Sequence, residues 1–453
     1  FVYRVTVGDV PLVTNVFPLG ACRGQETTVK LTGWNLPVNQ LTVNTKNQPP
    51  GVHEISVGEY PRVSNRVPLE FDTLGECLEQ EPNDRPDVAQ SIRPPAVVNG
   101  HIGHAGDWDI FRFKGRAGGR VVIDVAARRL GSPLDSVMEL TDANGRQLQV
   151  NDDHKNKADG LSTHHADSHL MATLPESGVY YLRLGDVQHQ GGEAYAYRLR
   201  ISAARPDFEL RVVPSTINAT RGSTVPITVY AIRKDGFSGD IALALKDPPA
   251  GFTLSGGRVP AGCDKIRLTL TVPPESREEP FQLNLEGRAV IRGRQIVRAA
   301  VPAEDMMQAF LYRHFVPVDH WMVAVLHRRW RCPPLRVLSE KPVELPEGST
   351  AEIEISTPRR LPIDDMQFLL NEPPEGISIE DVSPTQRGAK LRLRADAAKI
   401  KAGAQGNLIV DVFLDRVAQD KKAKQLNKRR RVPLGTVPAI SYEIVTPKEL
   451  AKP

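Results

Sequence analysis

The sequence lacks the usual marks of an enzyme or a membrane protein. It contains no HExxH pair, no GxSxG elbow, no GxxxxGK[ST] phosphate loop and no CxxC pair. Those absences leave zinc hydrolase, serine hydrolase, nucleotide-binding, zinc-ribbon and thioredoxin-type readings without support. Aromatic residues make up only 6% of the chain. No apolar run approaches the roughly 18 residues that cross a bilayer; the longest candidate, Trp321 to Leu326, is bounded by Asp319, His320 and His327. There is no initiator methionine either. The chain opens at Phe1, which suggests a processed or trimmed fragment whose targeting signal, if any, lies upstream.

The four cysteines, Cys22, Cys77, Cys263 and Cys332, are far apart. Cys22 and Cys77 lie near the ends of one expected domain, and Cys263 and Cys332 bracket the later part of another. Two intradomain disulfides would suit an oxidising compartment; four free thiols is the alternative.

What is abundant is punctuation. The 453 residues include 35 glycines and 37 prolines, which favours many short strands joined by turns over long helices. The length allows three or four domains. Net charge is +4, but Lys421, Lys422, Lys424, Lys428, Arg429, Arg430 and Arg431 stand within one acid-free run, and without them the chain carries −3. The basic balance is therefore one local patch. It suits an anionic polymer such as acidic polysaccharide, or forms a solvated hairpin connection. It has no aromatic residue, which argues against a single-stranded nucleic-acid platform.

A repeat organises the chain. LRVVPSTINATRGSTVPITV begins at Leu210 and LRVLSEKPVELPEGSTAEIEI at Leu335; the first glycine follows after 12 and 13 residues, at Gly222 and Gly348. A PPxG turn comes 29 and 28 residues later, ending at Gly251 and Gly376. A weaker copy runs from Gly24 to Gly51, an interval of 27. Between these marks apolar and polar residues alternate, as in Val225, Ile227 and Val229 or Ile353 and Ile355. Period two with regular turns predicts Ig-like sandwiches. RGQETTVKLTGWNLP in the first copy resembles the opening of IPT/TIG-type Ig-like domains. FVYRVTV at residues 1–7 echoes YAYRLRI at 195–201, so residues 1–9 are expected to be the last strand of a truncated upstream domain.

Residues 79–202 carry the densest motif set: Glu81-Pro82-Asn83-Asp84, then VNGHI, then GDWDIFRF from Gly106, GSPLDSVMELTDANG, Asn151-Asp152-Asp153, LPESGVYYLRL and the YAYRLRI strand. In this order they resemble the bacterial pre-peptidase C-terminal domain family. The surrounding architecture resembles exported proteins of planctomycete-type bacteria. The resemblance implies a jelly-roll-like β-sandwich that accompanies secreted hydrolases as a targeting, folding or substrate-binding module. Related domains in bacterial collagenases bind calcium near the EPND segment. Carried over by motif, that implies Glu79, Glu81, Asn83, Asp84, Asp107 and Asp109 as calcium ligands, although Glu79 belongs to the linker and Trp108 separates the last two. Closely spaced loop oxygens suit calcium. The competing reading is a capped turn before DVAQSI.

Seven of the eleven histidines (His101, His104, His154, His164, His165, His169 and His189) also fall here. His164, His165 and His169 beside aspartates would suit a transition-metal ion or simply a solvated loop. Asp135, Asp152 and Asp153 offer a second acidic site or surface turns. Ser136 and Ser168 have acids and histidines nearby but no strained nucleophile context. Residues 303–333 break the repeat; a short helix over 304–311 and a strand over 321–327 are expected, closing the preceding sandwich or forming a partner-facing surface.

Together these features predict an all-β chain of tandem β-sandwiches: residues 10–77 (Ig/TIG-like), 78–204 (pre-peptidase C-terminal-like), 205–333 (Ig-like with an atypical tail) and 334–453 (Ig-like with a basic loop). The expected role is a non-catalytic, exported structural or binding protein of the cell envelope or exterior. Its partners would be other such proteins or anionic polysaccharide, with no specific nucleic acid and no transmembrane segment. The alternative is an accessory region of a secreted peptidase or glycan hydrolase.

Overall fold

The computed structural model describes residues 5, 7–155, 166–275, 279–307, 313–326, 335–358, 362–417 and 429–447. Among these the protein is all-β, with single-turn 3-10 helices and no α-helix. Among the described residues no helix is long and apolar enough to cross a membrane. The chain forms two compact units, residues 1–205 and 206–453.

In the first unit, strands β1 (Leu12–Phe17), β2 (Gly20–Cys22), β3 (Glu26–Trp34), β4 (Gln40–Asn44), β5 (Gly51–Ile55) and β6 (Val67–Asp72) make two three-stranded sheets, β1-β3-β4 and β2-β6-β5. Val29, Leu31, Leu69 and Phe71 alternate inward between them. A larger sandwich follows. It uses β7 (Glu76–Leu78), β8 (Gln90–Ser91), β9 (Ala96–His101), β10 (Trp108–Gly115), β11 (Arg120–Ala126), β12 (Ser136–Asp142), β13 (Gln147–Asn151), β14 (His169–Thr173), β15 (Gly178–Asp186) and β16 (Ala196–Ala203). Its sheets run β13-β12-β15-β10-β8 and β14-β11-β16-β9-β7. Phe111 and Phe113 of β10 and Tyr197, Leu199 and Ile201 of β16 point to the shared core, as period-two alternation requires.

In the second unit the repeat becomes geometry. Gly222 and Gly348 have φ of 74° and 72°, and Gly251 and Gly376 have 85° and 94°. These left-handed turns favour glycine, which explains why the same residue recurs at the same spacing. One core gathers residues from Phe208 to Val325 and another from Leu335 to Ile444.

Two expectations need correction, the helix over 304–311 and the Cys22–Cys77 bridge. The helix over 304–311 is not formed where it is described: Arg294–Met307 is one strand, paired from Ala303 to Met307 with Arg313–Pro317. Antiparallel pairing overrides a weak helical preference there, and residues 308–311 lie outside the described residues. The strand over 321–327 does form, as Trp321–Leu326, parallel to Thr216–Thr220, with the Trp321 indole donating to the Pro214 carbonyl at 3.1 Å. The Cys22–Cys77 bridge is absent. Both thiols are free, as is that of Cys263, because Cys22 pairs into the β2-β6 ladder and Cys77 into the β7-β9 ladder of the other sandwich. Cys332 lies outside the described residues. At the N-terminus Val5 and Val7 are exposed and not in a strand; residues 1–4 and 6 lie outside the described residues.

Candidate metal centre

Strand β10 carries Asp109 on its inward face, in line with Phe111 and Phe113, so alternation alone drives a carboxylate into an apolar core. Asp109 is 0% exposed. The loop after β7 wraps over it. Asn83 donates its backbone N–H to Glu81 Oε2 (2.9 Å), and its carbonyl accepts from the Ile110 N–H (2.9 Å), which ties the loop to β10. The capped turn expected as an alternative to a cation site is thus present, but Glu81 makes the cap and the Asn83 side chain turns inward.

Glu79, Glu81 and Asp109 bring one carboxylate oxygen each within 4.8 Å of one another. Around them the donors are few. Glu79 accepts from Asn83 Nδ2 at 3.0 Å and from the His101 N–H at 2.9 Å. The Tyr197 hydroxyl lies 2.6 Å from Asp109 Oδ2 and 3.0 Å from Glu79 Oε1, and its single proton serves one of them at a time. Two oxygens are left over: Asn83 Oδ1 and Asp109 Oδ1 are buried with no donor. Buried acceptors are nearly always satisfied in folded proteins, so two orphans beside three clustered carboxylates fit a cation. The electrostatics agree. Burial, and then the neighbouring Glu79 charge, push Asp109 up to about 10. Burial also raises Glu81, with Glu79, Asp107 and Asp84 adding to it. Burial and the two carboxylates hold the Tyr197 phenol well above its ordinary value.

The structure sorts the six sequence-derived ligands. Glu79, Glu81, Asn83 and Asp109 converge. Asp107 is buried, but its oxygens accept from the Gly103 N–H (2.7 Å) and the Trp108 N–H (2.9 Å), closing the turn before β10. Asp84 is exposed and acts on Glu81 only through its charge. Tyr197 was not singled out by the sequence reading. Its place on the inward face of the YAYRLRI strand, with a polar tip in an apolar layer, is the signal that marks it.

A second charged cluster in the same sandwich is built differently. Asp124 accepts from Arg129 Nη2 at 2.7 Å and lies 3.0 Å from His169 Nδ1. Burial raises its pKa, but Arg129, His169 and Arg200 outweigh that and hold it below the usual carboxylate range. Asp167 accepts the Ala127, Arg128 and Arg129 N–H groups at 3.2, 2.6 and 3.2 Å, and burial still keeps its carboxyl raised. The His154 ring packs 4.6 Å from that of His169, and His164 and His165 lie outside the described residues. Ser136 and Ser168 are fully buried and bond each other through their hydroxyls at 2.9 Å, while His169 is directed to Asp124. That is core satisfaction and not a nucleophile arrangement. Asp135 bonds to the β15–β16 connection through Gln188, and Asp152 and Asp153 are exposed; among the described residues Glu79, Glu81 and Asp109 are the only group of three such side chains close enough together to hold a metal ion.

Of the basic run, Lys421, Lys422, Lys424 and Lys428 lie outside the described residues. Arg429, Arg430 and Arg431 open the strand Arg429–Thr436, which pairs with Val410–Val417. Arg431 donates to Gln367 and stacks over Phe413 at 5.5 Å, so it also supports the sheet.

No family model matches the chain. Over 107 residues it is 37% identical to a probable subtilase-type serine protease of Deinococcus radiodurans, and the match covers 23% of this chain. It spans only 14% of that protein. Among solved structures, the pre-peptidase C-terminal domain of a collagenase from Bacillus anthracis aligns at 16% identity and a TM-score of 0.21, over 26% of this chain and 99% of that one. The D00–D0 domain of intimin aligns at 11% identity and a TM-score of 0.17, over 52% and 99%. Part of the chain is therefore similar to part of a subtilase-type protease.

Proposed function

We propose that this chain is a non-catalytic binding and spacing segment of an exported protein, built from β-sandwich modules, of which the one over residues 78–204 is ordered by calcium. The observation that carries the reading is the pair of donor-less buried oxygens, Asn83 Oδ1 and Asp109 Oδ1, beside the carboxylates of Glu79 and Glu81. Calcium takes about six to eight hard oxygen ligands in flexible geometry, whereas magnesium demands a tight octahedron and keeps its waters. Four protein oxygens on a loop and a strand suit the former. Bound calcium would supply the positive charge that this buried site lacks. The chain's own residues do the rest: Tyr197 and the His101 N–H orient Glu79, and Glu81 shapes the turn that aims Asn83 inward. Partners of such a segment would be other exported proteins or an anionic polysaccharide, the latter through the basic run at 421–431.

Calorimetric titration of the chelator-treated full chain tests this. The expected result is saturable calcium binding that magnesium does not reproduce and that Asp109→Ala abolishes. At a hundredfold excess over Kd, calcium should stabilise the first unit by about 2.7 kcal/mol. No binding, or binding untouched by Asp109→Ala, would sink the reading.

A second reading, an accessory region of a secreted peptidase, is favoured by one observation, the 37% identity to a subtilase-type protease. A peptidase domain encoded in the full-length gene would support it; only further β-domains would argue against it.

A further inference from the structure

The outer face of the β13-β12-β15-β10-β8 sheet carries cations that have no counter-charge among the described residues. On β10, Asp109, Phe111 and Phe113 point inward, so Arg112 and Lys114 point outward, and both are exposed. Arg116 follows in the turn and is exposed too. β8 runs parallel to β10 with Ser91 level with Arg112, and the Ile92 N–H donates to the Arg112 carbonyl at 2.8 Å. That ladder carries the exposed Arg93 to the level of Lys114. Four cations share one corner of one sheet.

Exposed cations elsewhere on the chain are commonly paired. At the other end of this same face Arg183 meets Glu139 at 3.3 Å and stacks on the Trp108 ring at 4.5 Å. Arg66 likewise meets Glu54, Arg258 meets Asp240 and Arg394 meets Glu380. Among the described residues none of Arg93, Arg112, Lys114 and Arg116 makes an ion pair. The nearby acids do not neutralise them. Asp142 accepts the Asn144 and Arg146 N–H groups at 2.9 Å each, and Glu176, exposed in the turn before β15, pairs with none of the four. Outward side chains stand about 7 Å apart along a strand and about 5 Å apart between strands. At that spacing like charges repel, so the corner is poised for an anion.

We propose that this corner is a docking surface for an acidic polysaccharide. The proposal rests on the binding role given above, and it assigns that partner to the second sandwich in place of the run at 421–431. The charges are complementary: a polymer laid along the open face brings carboxylates or sulfates on successive sugars to cations spaced at about 5 to 7 Å. Ser91, exposed beside Arg112, adds a hydroxyl suited to sugar hydroxyls. The other classes of partner find less here. No large apolar side chain of β8, β10 or β15 is exposed. A membrane therefore has no anchor, single-stranded nucleic acid no exposed stacking ring, and a protein no hydrophobic hot spot.

The test is calorimetric titration of the full chain with polygalacturonate, a carboxylated polysaccharide, and with heparin, a sulfated one. Chelator is present throughout, so the outcome does not depend on the calcium site. One variant carries Arg93→Gln, Arg112→Gln and Lys114→Gln; a second carries Lys421→Gln, Lys422→Gln, Lys424→Gln and Lys428→Gln. The three residues of the first are exposed, so that variant should keep the native melting temperature. It should bind at least about tenfold more weakly, while the second binds like the unmodified chain. Affinity should fall as salt rises, and dextran, which is uncharged, should not bind. Native affinity in the first variant with loss in the second would overturn this surface and leave polysaccharide binding by the 421–431 run standing. Binding of neither polymer by the unmodified chain, or tighter binding to phosphatidylglycerol vesicles than to both, would overturn the polysaccharide itself.

Discussion

Two aspartates of one sandwich, the buried Asp109 and the half-buried Asp124, are both withdrawn from solvent and are compensated differently. Asp124 has its partners built in: the Arg129 guanidinium at 2.7 Å, the His169 ring nitrogen at 3.0 Å and Arg200 nearby. Asp109 has a tyrosine hydroxyl, a like-charged neighbour in Glu79 and one oxygen with no donor. Burying a carboxylate without a partner costs several kcal/mol, so a fold retains such a group only where something else compensates. For the cluster with a second orphan oxygen, the function proposed above assigns that compensation to a bound cation. The lesson is that an unsatisfied acid is informative beside a satisfied one, since both are drawn out of solvent and only one has its partners in the chain.

Acidity separates the two most widely. For Asp109 the folded value is raised, to about 10, above the unfolded value of about 3.9. Its contribution to a cation-free fold is therefore fully present below about pH 4 and is lost as pH rises toward 10. For Asp124 the folded value is lowered, so its contribution is present above about pH 4 and is lost on acidification. Between pH 5 and 8 in chelator, the first unit should lose up to about 1.4 kcal/mol per pH unit. Calcium or Asp109→Asn should flatten that slope. A melting series in which the chelated protein shows no fall over this range would remove the contrast.

The next effect in size comes from the other cluster. Arg129→Ala strips Asp124 and Asp167 of a shared cation, and breaking a largely buried pair on one side costs about 3 kcal/mol. The loss should be the same in calcium and in chelator, because Arg129 serves only the self-sufficient cluster. A loss confined to the calcium-loaded state, read from denaturant midpoints in the two buffers, would mean that the clusters are one system.

How much of this could be read from the chain depends on the range of the cause. The turns repeat because left-handed backbone at Gly222, Gly251, Gly348 and Gly376 favours glycine, a one-residue requirement visible in one dimension. Asp109 was nearly as legible: in DIFRF the acid keeps step with two core phenylalanines, so its burial follows from alternation. Asp107 has the same parity but precedes the strand, and only hydrogen-bond geometry reveals that it closes a turn. Arg198 was invisible for a different reason. Alternation places it on the outer face of β16, and it is buried only because another sandwich covers that face. The Cys22–Cys77 expectation failed for the same kind of reason, since strand pairing assigns the two residues to different sandwiches.

The smallest effect tests the border of the site. Asp84 belongs to the same EPND segment as Glu81 and Asn83, but it is exposed and reaches the cluster only through its charge on Glu81. Charges at such a distance are screened by solvent and salt. Asp84→Ala should therefore change the stability of the chelated protein by about 0.5 kcal/mol or less and weaken calcium binding slightly, with the deficit shrinking as ionic strength rises. Asp109→Ala, by contrast, should abolish binding at any ionic strength, because it removes a buried ligand. If Asp84→Ala proved as damaging as Asp109→Ala, Asp84 would have to turn inward when calcium binds. The distinction between ligand and bystander in this loop would then belong to the loaded state alone.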